Sequence, residues 1–269
     1  MLIRIYPFLA LGGAVWTVVG TGIHPLWGIP LLLGYFLGLI ALFFLLGILM
    51  SPFFSKKKQP KRPNPVARFM LVEAYAMALV FMQVHARVKG LDKLPKKGTT
   101  FLVVSNHLSN YDHMLMIVKM RKFPISFISK PENFQIPIVG RYLRNAGFLS
   151  IDRKRARNAI ATVNETAERI SEGGMCYGVF PEGTRSRTGK LLPFHSGVFL
   201  TATKARAPIV VVHMKGTQRV NRRGPWLPTR VEMDILEYLD SDFVTSHTDM
   251  EICQHTYELM LEKFPNSEE

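Results

Sequence analysis

Two short segments hold the residue types that do chemistry. The first reads Asn106-His107-Leu108-Ser109-Asn110-Tyr111-Asp112, and the second Phe180-Pro181-Glu182-Gly183-Thr184-Arg185-Ser186-Arg187. His107 and Asp112 offer an imidazole base and a carboxylate to orient it. On a regular helix, at roughly 100° per residue, residues with this spacing point about 140° apart. They meet only if His107 lies in a turn and Asp112 in the first turn of a following helix. The second segment offers a carboxylate, hydroxyls and two guanidiniums around Gly183, which lets the backbone approach a ligand closely. Arg185 can grip a phosphate with two parallel bonds, which lysine cannot reproduce. A base beside an anion clamp suggests group transfer onto a phosphorylated alcohol. Taken singly, each segment has a plainer reading: a solvated loop histidine, and a surface Glu182–Arg185 pair.

The elements around these segments alternate. Apolar runs at residues 101–104, 126–128, 148–151, 175–180, 209–214 and 231–236 read as strands. Helical patterns lie near residues 112–120, 136–144, 154–171 and 196–205, with Gly173-Gly174 as a stop for the third and a final amphipathic helix over 250–264. This predicts an α/β domain, a mixed sheet flanked by helices, with both reactive segments at strand ends where such folds place chemistry. Residues 66–84 form a further apolar helix carrying only Arg68 and Glu73, which packs either on the domain or along a bilayer.

The N-terminal part is different in kind. No Asp, Glu, Lys or Arg occurs between Arg4 and Lys56. Within that stretch, residues 5–23 and 26–50 approach or exceed the ~20 apolar residues needed to span a hydrocarbon core, and His24-Pro25 separates them as a hairpin turn would. The stretch is too long for a cleaved signal peptide and lacks a small-residue cleavage site before a polar chain. Lys56, Lys57, Lys58, Lys61, Arg62 and Arg68 follow it, the pattern of a cytoplasmic flank. The organisation expected is a membrane-anchoring helical hairpin over 1–54, a basic proline-containing linker over 55–65 and a catalytic domain over 66–269, facing the cytoplasm from the cell membrane. The net charge of +14 has a second concentration at residues 119–157, where ten Lys/Arg meet only Glu132 and Asp152. Beside a membrane anchor, an anionic bilayer and an anionic substrate account for it more simply than nucleic acid does. Cys176 and Cys253 stand in no metal or disulfide motif, and no metal-ligand spacing appears.

The order and spacing of the two segments resemble the glycerolipid acyltransferases, in particular the bacterial 1-acylglycerol-3-phosphate acyltransferases. Intermediate blocks agree: Ser129-Lys130-Pro131-Glu132, followed by a segment ending Ile151-Asp152-Arg153, and then Pro208-Ile209-Val210. The similarity covers about residues 88–214. It departs where Val211 replaces a second proline and where His195-Ser196 follows Phe194 in place of the family's frequent lysine. The resemblance implies a fold like that of the glycerolipid acyltransferases, and transfer of a fatty acyl group from acyl-CoA or acyl carrier protein to the sn-2 hydroxyl of a lysophosphatidic acid. It implies His107 as base and Asp112 as its orienter. It further implies Arg185, Arg153 and Lys130 around the phosphate, and Glu182, Gly183 and Thr184 around the glycerol. No cofactor is implied beyond the thioester donor. Three other readings stand beside it: an acyltransferase for another lysophospholipid, a non-catalytic basic membrane- or nucleic-acid-binding protein, and a lipid hydrolase. The last would use Ser105 or Ser109, but the chain has no Gly-x-Ser-x-Gly elbow.

Overall fold

A computed structural model describes residues 1–56, 59–151 and 156–264, with the side chains of 156–159 left aside. The chain opens with α1 (Tyr6–Thr21) and α2 (Gly28–Met50), which form an antiparallel hairpin turning at His24-Pro25. The Thr17 and Tyr35 hydroxyls share a hydrogen bond of 2.8 Å across it. Of the two spans expected, only one has the length. The 23 residues of α2 make a rod of about 34 Å, longer than a ~30 Å hydrocarbon core. The 16 residues of α1 reach only about 24 Å. Both present large apolar side chains outward, Trp16 of α1 and Ile29 of α2 being 80% and 77% exposed. A contiguous apolar surface of this kind marks a site to be covered by something other than water.

Next comes α3 (Pro65–Phe81), capped by the Asn64 side chain, which accepts from the Val66 and Ala67 amides. It packs on the domain. Arg68, expected in the basic flank, instead turns inward and donates to the Phe123 and Ile125 carbonyls, and burial pushes its pKa down to about 10. Glu73, also buried, accepts from the Leu2 amide at 2.6 Å. The helix stops short of residue 84 because Gln83 takes φ +48°, and β1 (Val84–Lys89) begins directly after it. That strand was not anticipated.

The remaining elements follow in the order β2 (Leu102–Ser105), α4 (Tyr111–Lys119), β3 (Ile125–Ser129), α5 (Val139–Asn145), β4 (Leu149–Ser150), α6 (Ala156–Ser171), β5 (Cys176–Val179), α7 (Leu200–Ala205), β6 (Ile209–Lys215), α8 (Val220–Arg223), β7 (Thr229–Leu239), α9 (Ser241–Ser246) and α10 (Asp249–Leu261). Among the described residues the strands form one mixed sheet in the order β1-β7-β6-β2-β5-β3-β4. From β6 to β4 all neighbours are parallel; β7 runs antiparallel to β6, and β1 parallel to β7. Both faces are covered, which is why the central strands read as continuous apolar runs rather than alternating ones. Phe101 and Val103 face α3 and α4, while Leu102 and Val104 face α6, α7 and α10.

The topology also dictates where a ligand can enter. From β2 the chain crosses over β5 to reach β3, and from β5 it crosses back over β2 to reach β6. Right-handed crossovers in opposite directions put their helices on opposite faces. A crevice therefore opens outside the carboxyl ends of β2 and β5, where both reactive segments begin.

Candidate active site

Asp112 is fully buried in the first turn of α4, and its carboxylate is engaged on both oxygens. Oδ2 accepts from His107 Nδ1 at 2.9 Å and from the Leu108 and Ser109 amides at 2.7 Å each. Oδ1 accepts from the Thr217 hydroxyl, beyond the end of β6. A carboxylate at a helix N-terminus with backbone donors around it is a stable anion. The bond to Nδ1 assigns the ring proton to that nitrogen, leaving Nε2 with its lone pair. The turn-then-helix geometry required by the spacing is thus the one adopted.

The imidazole is held from three further directions. Its ring stacks on Phe180 with centroids 3.9 Å apart and planes 15° from parallel, and Phe180 in turn stacks on Phe127 at 5.4 Å. Asn106, buried, exchanges two hydrogen bonds with Met214 on β6, of 2.9 and 2.7 Å, pinning the start of the loop. The His107 carbonyl accepts from the Ser186 amide at 2.8 Å, which ties the first segment to the second.

Glu182 departs from the sequence expectation. It does not face the crevice: only 3% of it is exposed. Its Oε1 accepts from the His107 amide at 2.7 Å and its Oε2 from the Leu192 amide at 3.2 Å. It ties together the two loops that leave β2 and β5, and this is a positioning role rather than a contact with the glycerol of a ligand. Burial pushes its carboxyl up to about 7, opposed by those two N–H bonds and reinforced by the charge of Asp112. Gly183 sits at φ +67°, and a Cβ there would fall 3.3 Å from the His195 ring. The left-handed backbone at this turn favours glycine, and a side chain there would crowd the His195 ring.

Between these segments and β3 lies a cavity of about 540 Å³. His107, Gly183, Thr184, Arg185 and Lys130 all line it, so five of the residues singled out from sequence converge on one space. Arg153 lies outside the described residues. Sequence reasoning missed the aromatic wall of the same cavity, formed by Tyr75 of α3, His113, Phe127 and Phe148. His113 packs edge-on to Tyr75 and Phe148, and burial among these rings pushes its pKa down to about 4, opposed by the charge of Asp112 and reinforced by His107. It is a neutral ring near pH 7. Thr217 was missed too; no local signal marks a hydroxyl that reaches Asp112 across more than a hundred residues.

Comparison with known proteins agrees with this architecture. A family model described as Acyltransferase matches residues 85–215. A 1-acyl-sn-glycerol-3-phosphate acyltransferase of Haemophilus influenzae is 28% identical over 240 residues, covering 88% of this chain and 96% of that protein. The human 1-acyl-sn-glycerol-3-phosphate acyltransferase alpha is 35% identical over 137 residues, and a chloroplastic one of Brassica napus is 29% identical over 154. Those two matches span 47% and 44% of the relatives' own lengths, less than half of each. The crystal structure of the 1-acyl-sn-glycerophosphate acyltransferase PlsC from Thermotoga maritima superposes with a TM-score of 0.61 at 22% identity, covering 97% of this chain and 93% of that one, and shares its fold. With the family match lying over the strands and loops that build the crevice, the chain is similar in sequence and in fold to the glycerolipid acyltransferases.

Proposed function

We propose that this protein moves a fatty acyl group from a thioester to the sn-2 hydroxyl of 1-acylglycerol 3-phosphate, giving phosphatidic acid in phospholipid biosynthesis. The observation that carries the proposal is the His107–Asp112 pair, 2.9 Å apart, with His107 on the wall of a cavity that Arg185 and Lys130 also line. His107 Nε2 takes the hydroxyl proton as the oxygen attacks the thioester carbonyl carbon. Asp112 stabilises the imidazolium that forms. The C–S bond then breaks, and the departing sulfur takes the proton from Nε2, leaving a free thiol and an ester. The substrate supplies the hydroxyl, so the base-and-orienter logic of serine hydrolases applies without an acyl-enzyme. Arg185 holds the phosphate with Lys130 and Arg153 assisting, and Thr184 and Gly183 border the glycerol. The donor is acyl-CoA or acyl carrier protein, and either anionic donor suits the basic surface.

The length and outward apolar face of α2 support a membrane setting. In this reading α2 enters the bilayer of the cell membrane and the domain rests on the cytoplasmic face, beside both lipid substrate and lipid product. The test is thiol release by the detergent-solubilised protein and its His107→Ala variant, supplied with acyl-CoA or acyl carrier protein thioesters. Release that depends on lysophosphatidic acid and on His107 is expected. Release supported only by another lysolipid would reassign the acceptor, and full turnover by a folded His107→Ala protein would overturn the base.

A further inference from the structure

Behind the loop that walls the His107 cavity lies a second cavity, of about 360 Å³. Lys56, Arg141 and Arg144 line it, and no carboxylate among the described residues does. Arg141 and Arg144 are three apart on α5 and so share a face of that helix. Each guanidinium is held in place. Arg141 Nη1 donates to the Ser51 carbonyl at 2.9 Å, which uses one of its five donors, and Arg144 lies over the Phe134 ring at 5.1 Å. Three cations with no carboxylate paired to them among the described residues, two of them guanidiniums, are matched by a phosphoryl group.

The rest of the lining is apolar and built with care. Ile136 borders both cavities. The partition continues through Pro137, Ile138 and Val139, where the Val139 amide bonds back to the Pro137 carbonyl at 2.7 Å. Ile138, at the centre of this three-residue turn, takes φ +65° and ψ −61°. A β-branched residue occupies such a conformation only where its surroundings over-determine it, and such turns cluster at ligand sites. Ile136 and Val139 remain 47% and 44% exposed. Ser51 is the C-terminal cap of α2, so the cations sit where the apolar anchor ends. A free anion would satisfy the cations alone; cations beside an exposed apolar ridge at the foot of an anchor fit an amphiphile.

We propose that Lys56, Arg141 and Arg144 form a second phosphoryl site, separate from the cavity that Arg185 lines, that seats the headgroup of an anionic bilayer lipid while Ile136 and Ile138 rest against its chains. The site goes beyond the acyl-transfer reading and does not depend on it.

The test is flotation of full-length protein with phosphatidylcholine vesicles, with and without one-third phosphatidylglycerol. The Lys56→Gln/Arg144→Gln pair, which spares the Arg141–Ser51 bond, is expected to weaken binding to the anionic vesicles by roughly 30-fold and leave binding to phosphatidylcholine unchanged. A control pair of equal charge change on the exposed Lys96 and Lys97, K96Q/K97Q, is expected to shift binding less than about threefold. Equal weakening by both pairs would reduce the effect to net charge and overturn the site, as would no weakening by the first pair. A rise in the KM for acyl-CoA against a monomeric short-chain acceptor, with vesicle binding intact, would give the pocket to the donor's phosphates and overturn the lipid. Vesicle binding is read without turnover, so failure of the acyl-transfer reading is seen separately in His107→Ala.

Discussion

Replacing Asp112 with asparagine isolates the charge of the orienting group from its geometry. The asparagine carbonyl can take the place of Oδ2, keeping the bonds from His107 Nδ1 and from the Leu108 and Ser109 amides. Its NH2 group then faces the Thr217 hydroxyl, which rotates to accept instead of donate. The fold is therefore expected to survive with its hydrogen bonds counted out, and what disappears is the negative charge beside the imidazolium. With Nδ1 and Oδ2 at 2.9 Å, the two charge centres lie about 4 Å apart. At an effective dielectric constant of about 20 such a pair interacts by about 4 kcal/mol. If that interaction is made in the transition state and not before it, kcat falls roughly 10³-fold. The assay is thiol release under saturating acceptor, with thermal unfolding in the same detergent as the control for folding. A loss of less than tenfold in a protein of unchanged stability would refute the argument, because it would mean the imidazolium gains nothing from the carboxylate.

Three further substitutions test the shell around this pair. Thr217→Val strands the buried Oδ1 of Asp112 without a donor; a stability loss of about 1–3 kcal/mol is expected, with kcat lowered and acceptor KM unchanged, and Thr217→Ser should restore both. Glu182→Gln bears on pH. With its carboxyl raised to about 7 by burial, Glu182 is easier to keep protonated folded than unfolded. Its contribution is fully present below its unfolded value near 4.5 and is lost as pH rises through 7, so melting temperature measured across that window should fall less steeply with pH in Glu182→Gln than in the parent. Gly178→Ala would place a Cβ 2.1 Å from the Phe127 ring, and Phe127 supports Phe180, on which His107 stacks; about 1–3 kcal/mol of destabilisation is expected, with kcat reduced more than binding.

Both reactive segments were legible because they sit at the ends of apolar runs, and the ends of parallel strands are where side chains are exposed without being free. The length of chain between His107 and Asp112 already demanded a turn followed by a helix start. What the sequence did not disclose was which polar residues are spent internally. Arg68 looks like another member of a basic flank, yet it neutralises two carbonyls inside the domain. Glu182 stands among exposed neighbours, Thr184 and Arg185, and yet is buried. Type and spacing report what a side chain can do, whereas its assignment to ligand or to scaffold depends on which loop lies opposite. That is fixed by the order of strands in the sheet, and no local pattern encodes it. Strand β1 was hidden for a related reason: His85, Arg87 and Lys89 alternate with apolar residues as on a half-exposed edge strand, but the run follows a long apolar helix and only the positive φ of Gln83 separates them.

The same dependence on long-range contacts changes what removal of the N-terminal region can reveal. The expectation from sequence was an anchoring hairpin over 1–54 joined to the domain by a linker over 55–65. In the structure Tyr142 donates to the Gly47 carbonyl, Asn145 to that of Ser55, and Gln59 to that of Phe148, while Phe54 packs edge-on against Tyr142 at 5.0 Å. Arg169 reaches the Pro60 carbonyl from α6, and the Asn64 amide reaches that of Asn145. Deleting residues 1–54 would take the Gly47 carbonyl and the Phe54 ring from Tyr142, the Ser51 carbonyl from Arg141 and the Leu2 amide from Glu73, and would leave these polar groups unpaired at about 1–3 kcal/mol each. The deletion is therefore expected to lose activity on monomeric and bilayer substrates alike, through folding. Polar substitutions at the outward Trp16, Leu26 and Phe53, which touch none of these bonds, are the perturbation that separates the two roles: activity should fall on bilayer substrate and hold on a monomeric one. Equal loss on both would place the purpose of the hairpin in the stability of the domain rather than in its attachment to lipid.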